Sequence, residues 1–253
     1  MNILEEIKNK KEFRGLSDDF VSRVMVLYSN KYDIYDKKQK KELIKQTRAK
    51  LRDLHSAFRL RNYNKKEKYL NEMTIWNDKE QCTKILKLHI STNERLDHYD
   101  KLYSKLQKKI QFKSVLDLGC GLNVFSLPWM ERFVTYYGVD VNKDDVDFCN
   151  DYLRRFALGG AVRLGDVMSF SKFMKADVTF MFKMLEALEQ LERGSTEELF
   201  KRVTSPYIVA SFATRSLGGK KPISARRLKW FEKLVDYQEK FKLGDEIYYV
   251  IKR

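Results

Sequence analysis

The chain has 253 residues, with 50 Lys and Arg against 35 Asp and Glu, a net charge of +15 and 43% hydrophobic residues, so one large or two modest domains can bury a core without staples. Cys82, Cys120 and Cys149 are scattered with no Cys-x-x-Cys pair, which excludes a disulfide framework or a zinc site and fits a reducing compartment. The first residues lack the order of a signal peptide and no apolar run approaches ~20 residues, so the expectation is a soluble cytoplasmic protein with neither membrane nor metal as partner.

Residues 1–105 carry helical spacing and no strand alternation. Ile3, Leu4 and Ile7 begin a short helix. Ser17 is placed to cap the next, with Phe20, Val24, Leu27 and Tyr28 on one face. Leu43, Ile44, Thr47, Leu51, Leu54 and Phe58 then recur at helical spacing through the most basic stretch of the chain. From Lys37 to Lys68 thirteen Lys or Arg stand against Glu42, Asp53 and Glu67, an excess of ten. A solvated lysine-rich helix would account for this run, but its density on one segment favours a phosphate-binding face. Arg59 to Lys68 reads as a loop or weak helix, and a further helix runs from about Asp78 to His89. Ser91 followed by Glu94 is a capping-box signature, continued by a stripe of Leu96, Tyr99, Tyr103, Leu106 and Ile110. Arg95 would then fall in the first turn, where a cation opposes the helix dipole, a hint of an anionic partner.

From Lys113 onward strands and helices alternate, the mark of a parallel sheet. The expected strands are Ser114–Leu118, Tyr136–Asp140, Ala161–Leu164, Asp177–Phe182, Tyr207–Phe212, about Asp236–Phe241, and Glu246–Lys252. The last two are separated only by Lys242-Leu-Gly-Asp245, which makes them an antiparallel hairpin. Helices fill the other gaps, notably Lys143–Phe156 and Thr196–Val203. The first strand breaks into Gly119-Cys120-Gly121, and the second closes on Asp140. A glycine turn after one strand and an acid at the end of the next is how doubly wound folds hold a ribose-bearing cofactor. The third-glycine position of the dinucleotide fingerprint is Val124, which favours S-adenosylmethionine (SAM) over NAD; a structural turn alone would also produce Gly-x-Gly.

Several pieces together resemble one family. They are His89-x-Ser-Thr-Asn-Glu-Arg95, Asp117-x-Gly-Cys-Gly-Leu-Asn123, Pro128-Trp-Met130, Phe182-Lys-Met-Leu185, Ser211-Phe212, Thr214-Arg-Ser-Leu-Gly-Gly-Lys220 and Trp230-Phe-Glu232, in family order over essentially the whole chain. The chain is similar to the aminoglycoside-resistance methyltransferases of the Arm/Rmt type, which methylate guanine N7 in the decoding site of 16S rRNA. The resemblance implies an α/β fold: a Rossmann-like SAM-dependent methyltransferase domain with a seven-stranded mixed sheet in residues 106–253, after a small all-helical rRNA-docking domain in residues 1–105. It implies that Arg95 pairs with the methionine carboxylate of SAM and that Gly119, Cys120 and Gly121 admit its methionine part. Asp140, with Val141 beside it, would take the ribose hydroxyls, and Asp166 and Val167 the adenine. Phe182 and Lys183 would also contact the cofactor, where it meets the target base, and with Ser211 would position that base. The docking cations would be Lys37, Lys38, Lys40, Lys41, Lys45, Arg48, Arg52, Arg59 and Arg61, joined by Arg215, Lys220, Lys221, Arg226 and Arg227 in a basic loop that could also be a solvated turn.

The chain departs from the family pattern at Ala213 and Glu186, where prolines are usual, and in Lys221-Pro-Ile-Ser-Ala-Arg-Arg227, all around the substrate entrance. Guanine N7 carries an in-plane lone pair, so no general base is expected; alignment of nitrogen, methyl carbon and sulfur carries the rate. The N7 edge faces a groove of A-form RNA too narrow for side chains, so the base should be turned out into a pocket. No cysteine follows a proline as cytosine C5 transfer needs, and Met181-Phe-Lys-Met is not the Asn/Asp-Pro-Pro-aromatic run of amino-group methylation. His89 and His98 read as capping or surface groups. The expected partner is the small ribosomal subunit, bound by a monomer. The alternatives are a non-catalytic SAM-binding rRNA-binding protein and an adenine N1 methyltransferase of the same rRNA region.

Overall fold

The computed structural model describes residues 2–55, 58–130, 133–216 and 221–253. Seven strands form one sheet: β1 (Ser114–Leu118), β2 (Thr135–Asp140), β3 (Gly160–Leu164), β4 (Val178–Phe182), β5 (Tyr207–Ala213), β6 (Glu239–Leu243) and β7 (Glu246–Lys252). Their order is β3-β2-β1-β4-β5-β7-β6. The first five run parallel, β7 lies antiparallel to β5, and β6 closes the expected hairpin against β7. Between β1 and β4 the order reverses, and the carboxyl ends of the strands open a crevice there, the usual ligand position in such sheets.

Alternation along β1 assigns the two faces. Val115 points to a layer made by α5 (Lys79–Leu86), α7 (Tyr99–Lys109) and α8 (Lys143–Arg155). Leu116 and Leu118 point to the opposite layer, where α9 (Leu185–Leu191), α10 (Ser195–Arg202) and α11 (Lys229–Leu234) pack. Central strands buried on both faces need unbroken apolar runs, and every residue of β4 is buried. A third cluster stands apart from both faces: Ile7 of α1 (Ile3–Lys8), Phe20, Val21 and Val24 of α2 (Asp18–Ser29), and Ile44 and Leu51 of α3 (Lys37–Leu54), closed by Leu191 of α9.

The segment after α3 is tied down by one acid. Asp145, at the start of α8, accepts from Arg59 at 2.7 Å, from the Tyr63 hydroxyl at 2.7 Å and from Lys66 at 2.9 Å. Burial alone would raise its pKa, but Lys66 and Arg59 outweigh it and hold the carboxyl at about 2. The weak helix expected between Arg59 and Lys68 is a 3-10 turn, Tyr63–Lys65, running into α4 (Lys66–Glu72).

Three sequence expectations are corrected. Ser17 occupies the N-cap position of α2, but its side chain makes no cap hydrogen bond. The sixth strand starts at Glu239 instead of about Asp236, because Gln238 N already donates to Val250 O outside the ladder. The capping box at Ser91 does not form. Helix α6 (Ile90–Arg95) has His89 at its N-cap, so Arg95 lies at its carboxyl end, where a cation complements the dipole. Thr92 Oγ1 instead donates to the Leu86 and His89 carbonyls.

Candidate active site

The crevice is built first from backbone. Gly119 and Gly121 hold φ of +68° and +48°, the left-handed region that costs a side chain most. Gly119 N and Cys120 N both donate to Val139 O, folding the turn back over β2. Asp140, the last residue of β2, accepts from Gly121 N at 2.8 Å through one carboxylate oxygen and from Asn142 N at 3.0 Å through the other. Burial and the nearby Asp145 push its pKa up to about 6. Each oxygen retains a lone pair for a further donor.

Gly119, Gly121, Asp140, Val141, Asp166, Val167, Phe182 and Lys183 all line one crevice, with about 860 Å³ of empty space counted out to its open mouth. Cys120 does not line it. Its buried Sγ packs towards Gly138, where an added Cβ would come within 2.9 Å.

The N-terminal helices supply a wall that sequence reasoning missed. Arg23 of α2 donates to both oxygens of Asp166, at 2.6 and 3.1 Å, while Asp166 also caps Met168 N at 2.9 Å. Asp19, one turn earlier, accepts from Asp166 N at 2.9 Å. Phe20, Leu54, His55 and Phe58 complete this side. His89 stacks on Phe58 with ring centroids 5.7 Å apart. Burial, with Arg59 adding at His55, lowers both His55 and His89 to about 4, so both rings are neutral at pH 7. Arg23 Nη1 and His89 Nδ1 are buried without a hydrogen-bond partner among the described residues. Unpaired polar atoms on a crevice wall fit a polar ligand better than a dry core gap. The donor at Arg23, the acceptors at Asp140 and the apolar faces of Phe20, Val141 and Val167 together suit an adenosyl group.

At the other end, four charges form a cluster around the buried pair Arg95 and Glu246. Arg95 is 2% exposed in its side chain, donating through Nε and Nη2 to the Glu246 carboxylate at 3.3 and 3.1 Å and through Nη1 to Asn123 Oδ1 at 3.3 Å. A fourth, longer bond reaches Ser91 Oγ at 3.4 Å. Of its five N–H groups at most one is left for a ligand, and the residue does not line the crevice. Its expected grip on a carboxylate is therefore occupied by Glu246, which no motif in the sequence singles out. Ser211 also turns inward, donating to Glu246, and does not line the crevice. Lys183 Nζ lies 2.6 Å from Glu94 Oε2 and 3.4 Å from Glu246 Oε2.

The cations expected to dock RNA divide sharply. Lys37, Lys38, Lys41, Arg61, Lys221 and Arg226 are exposed; Lys45 is exposed beside Glu42 at 3.3 Å. Lys40 pairs with Glu6, Arg52 with Glu12, Arg59 with Asp145 and Arg227 with Glu186, and Arg48 donates to the Ile7 and Glu6 carbonyls. Those five hold the protein together. Arg215 bridges Asp245 at 3.2 Å, and Lys220 lies outside the described residues.

The comparisons with known proteins agree with this geometry. The model of the ribosomal RNA methyltransferase (FmrO) family matches residues 75–239. The chain is 28% identical to the 16S rRNA (guanine(1405)-N(7))-methyltransferase of Serratia marcescens, covering 100% of this chain and 99% of the relative. It is 29% identical to the enzyme of the same name from Proteus mirabilis, over 94% and 99% of the two chains. The crystal structure of the 16S rRNA methyltransferase RmtF in complex with S-adenosyl-L-homocysteine superposes with a TM-score of 0.85 at 27% identity, covering 99% and 96%. With the family model spanning more than half of its length, a strand-end crevice and a glycine turn of the right kind, the chain belongs to the FmrO family of ribosomal RNA methyltransferases.

Proposed function

We propose that this protein transfers a methyl group from SAM to N7 of a guanine in the decoding site of 16S rRNA, within the small ribosomal subunit. The observation that carries the reading is the crevice at the β1–β4 reversal, walled by Gly119, Gly121, Asp140, Asp166 and Lys183 in a chain of this family. S-adenosylmethionine, when bound, supplies an electrophilic methyl on a sulfonium centre. Asp140 orients the ribose, Arg23 and Asp166 the adenine end, and the glycine turn lets the backbone approach closely. The chain needs no proton acceptor for N7, so these groups contribute by alignment alone.

Exposed Lys37, Lys38 and Lys41 on α3 would meet phosphates, with Lys221 and Arg226 as a second contact. The docking role falls to the first three helices, because α5 and α7 share the core of the catalytic sheet. The protein acts as a monomer in the cytoplasm; among the described residues no helix is long and apolar enough to cross a membrane. Methylated N7 loses an acceptor and gains charge, which repels polycationic aminoglycosides and confers resistance.

Tritiated SAM incubated with purified small subunits, beside an Asp140→Ala variant, tests the reading, and mass mapping locates the methyl. Transfer to guanine N7 by the wild type only is expected. Cofactor binding without transfer would favour a non-catalytic rRNA binder, and label on adenine N1 would move the target. Expression of the gene should raise resistance to gentamicin and kanamycin and leave apramycin susceptibility unchanged.

A further inference from the structure

We propose that Glu94 and Lys183 together read the O6 and Watson–Crick edge of the target base and so restrict transfer to guanine. The inference rests on the methyltransferase reading above and names the residues that would choose its substrate.

Lys183 is the first residue beyond the carboxyl end of β4, and it lines the crevice beside Gly119. It holds φ of +56°, a left-handed conformation that a residue with a side chain keeps only where the surroundings enforce it. Its N–H donates to Ser211 O at 3.0 Å, which fixes that backbone to β5. Its ammonium donates to Glu94 Oε2, 2.6 Å away. Glu246 is also near, but it already serves Arg95 and Ser211 and is buried. Glu94 differs: its side chain is 27% exposed, and its second oxygen has no partner among the described residues. A partly exposed carboxylate, steadied by a lysine that lines the crevice, can accept a ligand.

Guanine presents, in a row, N7, the O6 acceptor, the N1–H donor and the N2 amine. Laid against this pair, O6 meets the Lys183 ammonium while N1–H and the amine meet the Glu94 carboxylate. N7 adjoins O6 on the ring, so this orientation directs N7 towards the crevice and the cofactor. Adenine would set its N6 amine against the ammonium and its N1 lone pair against the carboxylate, both repulsive. During transfer the N7 lone pair forms the bond to the methyl carbon as the carbon–sulfur bond breaks and its electrons stay on sulfur. The purine becomes cationic and no proton leaves. A carboxylate already aimed at the ring stabilises that charge as it develops.

Small subunits reconstituted on 16S rRNA carrying guanine, inosine or adenine at the target position separate the outcomes. Inosine keeps N7, O6 and N1–H but lacks the amine. The wild type should favour guanine over inosine by roughly 10- to 100-fold, the range of one lost hydrogen bond to a charged group, and should not use adenine. E94Q should lower kcat/KM on guanine by about 100-fold and bring the guanine-to-inosine ratio close to one, with unchanged SAM affinity by calorimetry; E94D should recover part of the ratio. A wild type that uses guanine and inosine equally overturns the proposal without any variant. So does E94Q with normal SAM binding and a wild-type ratio. No transfer to any of the three substrates would instead remove the methyltransferase reading itself.

Discussion

Replacing Glu246 by Ala should be among the most damaging single changes in the molecule. The Glu246 carboxylate accepts from Arg95 twice, at 3.3 and 3.1 Å, from Ser211, and lies 3.4 Å from Lys183 Nζ. Arg95 is 2% exposed, so its charge cannot escape to water once the carboxylate is gone. Asn123 and Ser91 would remain as neutral hydrogen-bond partners, neither carrying a compensating charge. Removing one member of a buried pair costs about 3–5 kcal/mol because the other is left uncompensated. For a chain of this size each kcal/mol moves Tm by about 2–4 °C, so a fall of roughly 6–20 °C is expected. The Arg95→Met, Glu246→Leu double variant removes both charges and should recover most of that loss, since replacing a buried pair by apolar groups is often neutral. Urea unfolding of the wild type, Arg95→Met, Glu246→Leu and the double variant completes the cycle. A Glu246→Ala variant within 1 kcal/mol of the wild type, a threshold set well below the cost expected for an orphaned buried charge, would refute the account of this cluster.

Other expected outcomes follow from the same geometry. Asp140 titrates at about 6, so it is ionised above that value and protonated below it. If only the ionised form takes the ribose hydroxyls, SAM affinity approaches its full value about one pH unit above 6, is halved at about pH 6 and falls about tenfold by pH 5; calorimetry on Asp140→Asn should give a weak but pH-flat affinity. Arg23→Gln should weaken SAM binding by roughly tenfold, the scale of one hydrogen bond to a charged group, although Arg23 lies far outside the family-model match; unchanged affinity would exclude α2 from the cofactor site. Replacing Lys37, Lys38 and Lys41 by Gln should reduce the slope of log affinity for small subunits against log salt by about 2–3, near 0.7–0.9 per phosphate. Arg48→Gln should instead lower thermal stability, because its guanidinium holds the Ile7 and Glu6 carbonyls.

What was legible in the sequence is what has a local cause. The glycine turn, the acid closing β2 and the runs of β1, β4 and β5 are set by residues adjacent in the chain, and these central strands read as short apolar runs whose length and flanking turn residues mark them as strands. The edge strand β6, Glu239-Lys-Phe-Lys-Leu243, alternates between half-buried and exposed and mixes polar with apolar residues, so its start was placed too early. At Ser91 the local pattern was real but lost to a competitor: with Thr92 bonded to the Leu86 and His89 carbonyls, the helix begins two residues sooner. The wall from α2 was not legible at all. Arg23 and Asp166 are 143 positions apart, and nothing near either of them announces the pair. The same holds for the basic segment. Density of charge pointed to a phosphate surface, yet whether each cation is free depends on Glu6 and Glu12 some forty positions upstream.

The distribution of charge separates two tasks that a strongly basic protein could easily confuse. Around the place where the base would enter, Arg95 and Lys183 are balanced by Glu94 and Glu246. A phosphate gains little from approaching such a neutral cluster, whereas a base with donors and acceptors in a row can replace the contacts that Glu94 and Lys183 make with each other. The uncompensated cations Lys37, Lys38 and Lys41 stand at the amino end of α3, and the carboxyl end of that helix brings Leu54 to the crevice. An 18-residue helix spans about 27 Å. These three cations thus stand about a helix length from the crevice wall that Leu54 joins, where phosphate contacts would hold the RNA in register and leave the choice of base to side chains of the crevice.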